Sequence, residues 1–266
     1  MKNTIKTLIL ATMTFTSAQA VEVDEIIDGY IENTGGSEAW NNLQGMKLSG
    51  EFNQGGMKFP FEILSLKDGR QYMKFTFQGK ELKQGVFDGE TMWSTNFMTM
   101  KAEKADAEST ENRKLEMNDF PSPFLNWKEN GYTVELIGTE SKEGSDTYKV
   151  KLVKEPLTVD GESVEDISYY YFDTEAFVPV AVETEIRQGP MKGKVGENKM
   201  SDYQEVEGFY VPFAMTQGLK DGPGVTMTVS KVELNPQVSS SDFEMPVETE
   251  VTTEKNESAE ASTENK

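Results

Sequence analysis

From Gly45 onward the sequence is broken into strand-length segments by pairs of residues suited to tight turns, and this rhythm limits the chain more than any other feature. The segments 46–53, 57–66, 70–78, 81–88 and 91–98 are separated by Gly55-Gly56, Asp68-Gly69, Gln78-Gly79 and Asp88-Gly89. A Gly in such a pair accepts positive φ, which two-residue hairpin loops require. Strands joined by so short a link must run antiparallel. The rhythm returns at 132–139, 146–154, 163–172, 178–187, 194–206, 209–219 and 224–234, with Asp160-Gly161, Gly208 and Asp221-Gly222 between them. About a dozen strands of this kind predict a mainly β protein: a single curved antiparallel sheet with helical cover in place of a second sheet. No fixed period points to a repeat array.

Two stretches break the strand pattern. Near the start, Val23, Ile26, Ile27, Tyr30 and Ile31 recur at three- and four-residue spacing and predict a helix with one apolar stripe. Asn33-Thr34-Gly35-Gly36 stops it, and Ser37 can cap a short second turn over 38–43. In the middle, residues 101–117 are rich in Ala, Glu and Lys and read as a helix or a mobile loop. They lead into Asn118-Asp119-Phe120-Pro121-Ser122-Pro123-Phe124-Leu125-Asn126-Trp127, held irregular by its prolines.

The ends read differently from the middle. Lys2 and Lys6, the apolar run 8–15 and Ala18-Gln19-Ala20 make residues 1–20 a secretory signal peptide, with cleavage expected before Val21 and a soluble periplasmic product. The apolar run is short of the roughly 20 residues a membrane helix needs. Residues 247–266 alternate Glu with small polar residues and read as a disordered acidic tail, leaving 21–246 as the expected domain. The chain has no Cys and no His. That removes disulfides, thiolate nucleophiles, the usual general base and the common transition-metal ligands, so no cofactor is expected. The net charge of −20, which becomes −22 once Lys2 and Lys6 are lost, repels phosphate backbones and argues against nucleic-acid partners.

Within the domain, the candidate ligand-binding residues are the large apolar side chains flanking the central interruption. Trp93, Phe97, Met98 and Met100 lead into it, and Phe120, Phe124, Leu125 and Trp127 lead out. Such a cluster around an irregular insertion suggests that 97–127 forms a lid over a concave sheet, although the same residues could simply plug the barrel as core. Met suits a surface that repacks around variable ligands. Met46, Met57, Met73, Met191, Met200, Met215 and Met227 fall in strand-like segments and read as core. Asp88/Glu90 and Asp166/Asp173 carry no mark of an acid–base couple. Gly189-Pro190-Met191-Lys192-Gly193-Lys194 lacks the ending of a phosphate loop and reads as a basic hairpin turn. Asp160-Gly161-Glu162 reads as a solvated turn and not a calcium loop. Tyr169 and Tyr171 must share one face of their strand.

Several segments resemble the outer-membrane lipoprotein-sorting family, the LolA/LolB-like periplasmic carriers. They are 26–40 (Ile26-Ile27-Asp28-Gly29-Tyr30 to Ala39-Trp40), Phe87-Asp88-Gly89-Glu90-Thr91-Met92-Trp93, and Tyr171-Phe172-Asp173-Thr174-Glu175 with Val178-Pro179. Asp202-Tyr203 through Gly208-Phe209-Tyr210-Val211-Pro212, and Val232 to Phe243, follow in the same order. The resemblance implies an unclosed antiparallel barrel with helices over an apolar cavity. It also implies non-covalent carriage of lipid or lipoprotein acyl chains between membrane-bound donor and acceptor proteins, without catalysis. The chain departs from the best-known carriers in its acidic tail and in having only three arginines, Arg70, Arg113 and Arg187. None of them can be assigned as the basic residue that latches the family's lid.

Overall fold

The structure, a computed structural model, describes residues 21–246; the expected leader 1–20 and tail 247–266 lie outside the described residues. Two meanders make up one 13-stranded antiparallel sheet. The first contains β1 (Gly45–Gln54), β2 (Met57–Leu66), β3 (Gln71–Phe77), β4 (Lys80–Phe87), β5 (Met92–Thr95) and β6 (Ala102–Lys104). The second contains β7 (Thr133–Lys142), β8 (Ser145–Val159), β9 (Glu162–Asp173), β10 (Pro179–Glu185), β11 (Val195–Val206), β12 (Phe209–Leu219) and β13 (Gly224–Leu234). Within each meander every strand pairs with its chain neighbours, and the two meanders join where β1 pairs with β13, from Met46↔Leu234 to Phe52↔Met227. The free edges are therefore β6 and β7, which are consecutive in the chain.

The β1–β13 seam requires close backbone approach. Its register shifts between Ser49 and Gly50, and a Cβ on Gly50 would come within 2.0 Å of the Thr228 carbonyl oxygen. Only glycine fits there.

The segment between β6 and β7 has to span the gap between the two edges. Its first part is α3 (Ala107–Leu115), capped by Asp106, whose Oδ1 accepts from Ser109 N at 2.6 Å. Glu108 accepts from the amides of Asp160 and Gly161 at the β8–β9 turn. Asn112 exchanges two hydrogen bonds with the Thr158 backbone, and Arg113 donates to Gly69 O beyond β2. The sheet is thus left unclosed by strands, with a helix laid along the opening. The short edge strand β6 falls inside the stretch expected to be helix or loop, and the strand expected over 91–98 ends at Thr95. Asn96 ends it: its backbone and side chain accept from the amides of Met98, Thr99 and Met100, folding 96–101 into a turn.

α1 (Val23–Asn33) and α2 (Ser37–Asn42) lie over the inner face of the second meander. Ile26, Ile27 and Ile31 are buried there with Leu43, Val150, Leu152 and Phe172. Thr34 ends α1 by bonding back to Tyr30 O and accepts the Trp40 indole N–H at 3.2 Å, which fixes α2.

The outer face is also covered in places. Beyond β13, residues 235–246 run over the outside of the first meander. Phe243, 1% exposed, seats among Leu64, Leu66, Tyr72, Val86 and Trp93. The Trp93 indole donates to Phe243 O at 2.8 Å, and Lys83 Nζ donates to Asp242 O at 2.8 Å. On the outside of the second meander, Lys142 lies between Glu183 and Glu197 at 2.6 and 2.5 Å, with Lys220 on Glu183 at 2.9 Å.

Two outcomes follow from these outer contacts. Phe243→Ala empties a closed apolar seat and should cost about 3–5 kcal/mol in chemical denaturation. For Glu183, burial alone pushes the carboxyl up, but the bonds from Lys142 and Lys220 outweigh it and hold the pKa at about 2 against an ordinary 4.5. A lowered carboxylate pKa stabilises the fold above the unfolded value, and the contribution drains as pH falls through the folded one. Stability should therefore drop by about 1–3 kcal/mol between pH 4.5 and 2. Glu183→Gln should flatten that part of the urea-midpoint curve.

Candidate functional site

Cross-strand register places an apolar surface on the inner face. One row runs Phe59–Phe52–Met227–Met215–Met200 across β2, β1, β13, β12 and β11, each residue directly opposite the next. The row below it runs Leu82–Phe75–Phe61–Gly50–Val229, and the next Gln84–Met73–Ile63–Leu48–Val232. Such rows follow from the period-two alternation of strands. The first meander has no helix against most of this face, so Phe52, Phe59, Ile63, Met73, Phe75, Phe77, Met200, Met215 and Met227 remain half-buried. Their rings touch one another: Phe52–Phe59 at 5.0 Å, Phe52–Phe75 at 5.8 Å and Phe59–Phe77 at 5.9 Å between centroids.

Towards the other end, the same face passes beneath α1, α2 and the residues after α3. A cavity of about 210 Å³ remains there, lined by Tyr30, Trp40, Met46, Leu48, Ile63, Phe120, Met200 and Tyr203 among others. It shares Leu48, Ile63 and Met200 with the open rows, so the cavity and the exposed face form one surface. None of its lining residues is an acid or a base. Burial pushes the hydroxyls of Tyr30 and Tyr203 up, so both stay neutral.

The eight side chains proposed from sequence separate into different environments. Phe120 lines the cavity. Phe124 and Leu125 are core: Phe124 is 2% exposed, with its ring 4.7 Å from Tyr170 and 5.4 Å from Phe172. Trp127 is half-buried against the same core, with Lys128 Nζ 5.0 Å from its ring centre. Phe97 stacks at 5.7 Å on Phe75, at the rim of the apolar face, while its neighbour Met98 projects outward. Trp93 and Met100 do not join them. Trp93 lies on the outer face under Phe243, and Met100 lines a groove beside it. The reason is strand alternation: on β4 and β5, Val86 and Trp93 pair on the face opposite Phe87 and Met92.

A buried charge ties the crossover down. Lys154 on β8, its side chain 13% exposed, bonds Asp119 at 2.7 Å and Asp166 on β9 at 3.2 Å. The Tyr132 hydroxyl donates to the other Asp119 oxygen at 2.9 Å. Burial pulls the Lys154 ammonium down, and Asp119 and Asp166 more than reverse this, so it remains charged. Arg113 adds its bond to Gly69 O and lies 5.7 Å from the Phe87 ring centre. The principal basic tie is thus a lysine on a strand, a position to which composition gave no pointer.

No family model matches the sequence, and no curated protein matches it. Among solved structures, the outer membrane lipoprotein-sorting protein domain from Vibrio parahaemolyticus is similar at 11% identity and a TM-score of 0.50, covering 82% of this chain and 94% of that one. The chain shares the fold of that domain. A LolA superfamily protein from Nitrosomonas europaea (13% identity, 85% and 98% coverage, TM-score 0.49) and a DUF1329 family protein from Desulfovibrio piger (13%, 85% and 98%, 0.49) are also similar. This likeness concerns the unclosed antiparallel sheet and its helical cover.

Removing the lysine should leave Asp119 and Asp166 buried without their cation. Lys154→Met is therefore expected to lower stability by about 3–5 kcal/mol. Adding Asp119→Asn and Asp166→Asn should restore part of it, as measured by urea denaturation of the single and triple variants.

Proposed function

We propose that the protein is an exported carrier or binder of lipid-like ligands, lipoprotein acyl chains foremost. In this reading it holds them on the inner face without covalent chemistry, as a periplasmic chaperone passing cargo between membrane-bound donor and acceptor proteins. The observation that carries the proposal is the three in-register rows, apolar but for Gln84, whose Phe52, Phe59, Met73, Phe75 and Met227 are half-buried and which run on into an uncharged cavity. A hydrocarbon chain needs only contact area, since each methylene buried is worth about 0.8 kcal/mol. β2 alone, with ten residues, extends for roughly 30 Å. Met side chains on adjacent strands let the surface adapt to chains of different shape.

The lipoprotein-sorting description of the Vibrio parahaemolyticus protein supports the choice of cargo. The leader-like residues 1–20 support export, and among the described residues no helix is long and apolar enough to cross a membrane. In this reading Phe120, from the crossover, and Phe97, from the rim, are the sequence-predicted residues that touch the ligand. Phe52, Phe59, Phe75 and Met227 join them.

The alternative, a module whose barrel is filled by its own side chains, describes the second meander under α1 and Phe124. It does not account for the open first meander.

Mass spectrometry of an organic extract of the purified protein should find bound lipid. In titrations with a fluorescent fatty acid, Phe52→Ala and Phe75→Ala should weaken binding roughly tenfold while costing less stability than Phe124→Ala, which empties core and should cost about 3–5 kcal/mol. A lipid-free extract together with unchanged binding by the two variants would exclude the proposal.

A further inference from the structure

In an antiparallel meander alternate turns lie at the same end, so the β1–β2, β3–β4, β5–β6, β8–β9, β10–β11 and β12–β13 turns form one rim. This rim holds the three most exposed large apolar side chains of the described residues, Met98 at 92%, Met57 at 60% and Phe97 at 59%, and also Met191; Ile137, of similar exposure, lies apart on β7. Met98, at 92% exposure, touches little that truncation would disturb.

The charges of the connecting turns are distributed unevenly between the two ends. At this rim Lys101, Arg187, Lys192, Lys194 and Lys220 stand against Asp160 and Asp221 of the turns and Glu103 and Glu108, which bond into them. At the opposite end Asp68, Asp88, Glu90, Glu143, Glu175 and Glu207 stand against Lys67 and Arg70. In a chain of net charge −20 the turns of this rim are thus the net-positive ones, and Met57, Phe97, Met98 and Met191 lie beside them. The rim also meets the candidate site directly, because Phe97 stacks on Phe75.

We propose that this rim is a membrane-docking surface for anionic lipid bilayers. The side chains of Met57, Phe97, Met98 and Met191 enter the interfacial layer, and the basic turn at 187–194 contacts the headgroups. Exposed apolar groups supplemented by nearby basic residues give reversible, composition-sensitive attachment of this kind. The remaining acidic surface is repelled, so the molecule can approach only with the open end of its apolar face towards the lipid. The inference deepens the carrier reading by naming where cargo would enter. Docking itself does not require that cargo be carried.

The test is flotation of the full chain with vesicles mixing phosphatidylethanolamine and phosphatidylglycerol, and with phosphatidylcholine vesicles as control. The wild-type protein should float with the anionic vesicles, less so as salt is raised, and weakly with phosphatidylcholine. Phe97→Ser with Met98→Ser should reduce flotation roughly tenfold, and Lys192→Glu with Lys194→Glu should remove the preference for anionic lipid. The thermal midpoint of each variant should stay near wild type, because all four side chains are exposed. Equal flotation of the wild-type and Phe97/Met98 variants, or no flotation of the wild type, would overturn the docking proposal. Uptake of dispersed fluorescent fatty acid, measured without vesicles, reports separately on the carrier reading: failure there with intact flotation would remove the carrier and keep the docking surface.

Discussion

The pairing of β1 with β13 is the contact on which the rest of this molecule depends. Each meander alone is held by turns of a few residues, and such local pairing forms readily from any chain of this pattern. Joining Met46–Phe52 to Met227–Leu234 instead brings together strands separated by most of the domain, and it succeeds only because Gly50 has no side chain to strike Thr228. Once the two halves are one sheet, the free edges are β6 and β7. The only chain between those edges is the segment containing α3 and Phe120–Trp127. Its position over the opening is thus a consequence of topology, and it needs no separate lid-docking signal. The apolar rows cross this seam as well: Phe52 and Met227 are opposite each other only because the seam exists.

Charge has been buried on both faces, with different consequences. On the outside, Lys142, Glu183 and Glu197 fasten the tip of the β7–β8 hairpin across β10 and β11. On the inside, Lys154 fixes the crossover through Asp119. Ion pairs this well covered gain little over a hydrophobic replacement of the same shape, yet are costly to break one partner at a time. They therefore specify position more than they add stability. Between the Lys154 cluster and the rim, the inner face carries apolar or uncharged polar side chains: Gln84, Met73, Ile63 and Leu48 in one row, Phe59, Phe52, Met227 and Met215 in another. A hydrocarbon chain placed there would meet no ion that must be desolvated.

Much of this could be read from the sequence because hairpins are local. Asp88-Gly89 and Gly208 mark turns that the structure contains, and the stripe Ile26–Ile27–Ile31 is the buried face of α1. The β1–β13 seam was not legible, since nothing in either strand names its partner. The apolar site was only half legible. Density of large residues drew attention to Trp93, Phe124 and Leu125, yet density does not distinguish core from surface, and these are core. The better signal was alternation. Phe59, Phe61 and Ile63 on β2, and Met73, Phe75 and Phe77 on β3, repeat every second residue and must share a face. Trp93 could not be assigned to the outside without knowing that Phe243, 150 residues later, returns to cover it. The buried tie of the crossover was not legible either: Lys154 lies on a strand far from Asp119 in sequence, and two aspartates hold it, one of them also held by Tyr132.

The unequal treatment of the two meanders is what leaves a surface for function. α1, α2 and Phe124 cover the inner face of β7–β9 and the Phe209–Val211 end of β12, and that part resembles an ordinary domain core. Over β1–β4 the cover is placed on the opposite side, where residues 235–246 bury Phe243 against Leu64, Tyr72 and Trp93. The first meander thus draws much of its stability from its outer face, which lets Phe52, Phe59, Met73 and Phe75 on its inner face stay half-open. Were the same strap on the inside, Phe52, Phe59 and Phe75 would be core and the cavity under Phe120 would end blindly. Because it is outside, the apolar rows continue from the cavity to the rim at Phe97. A sheet stabilised from behind can leave a hydrophobic front open to water without unfolding.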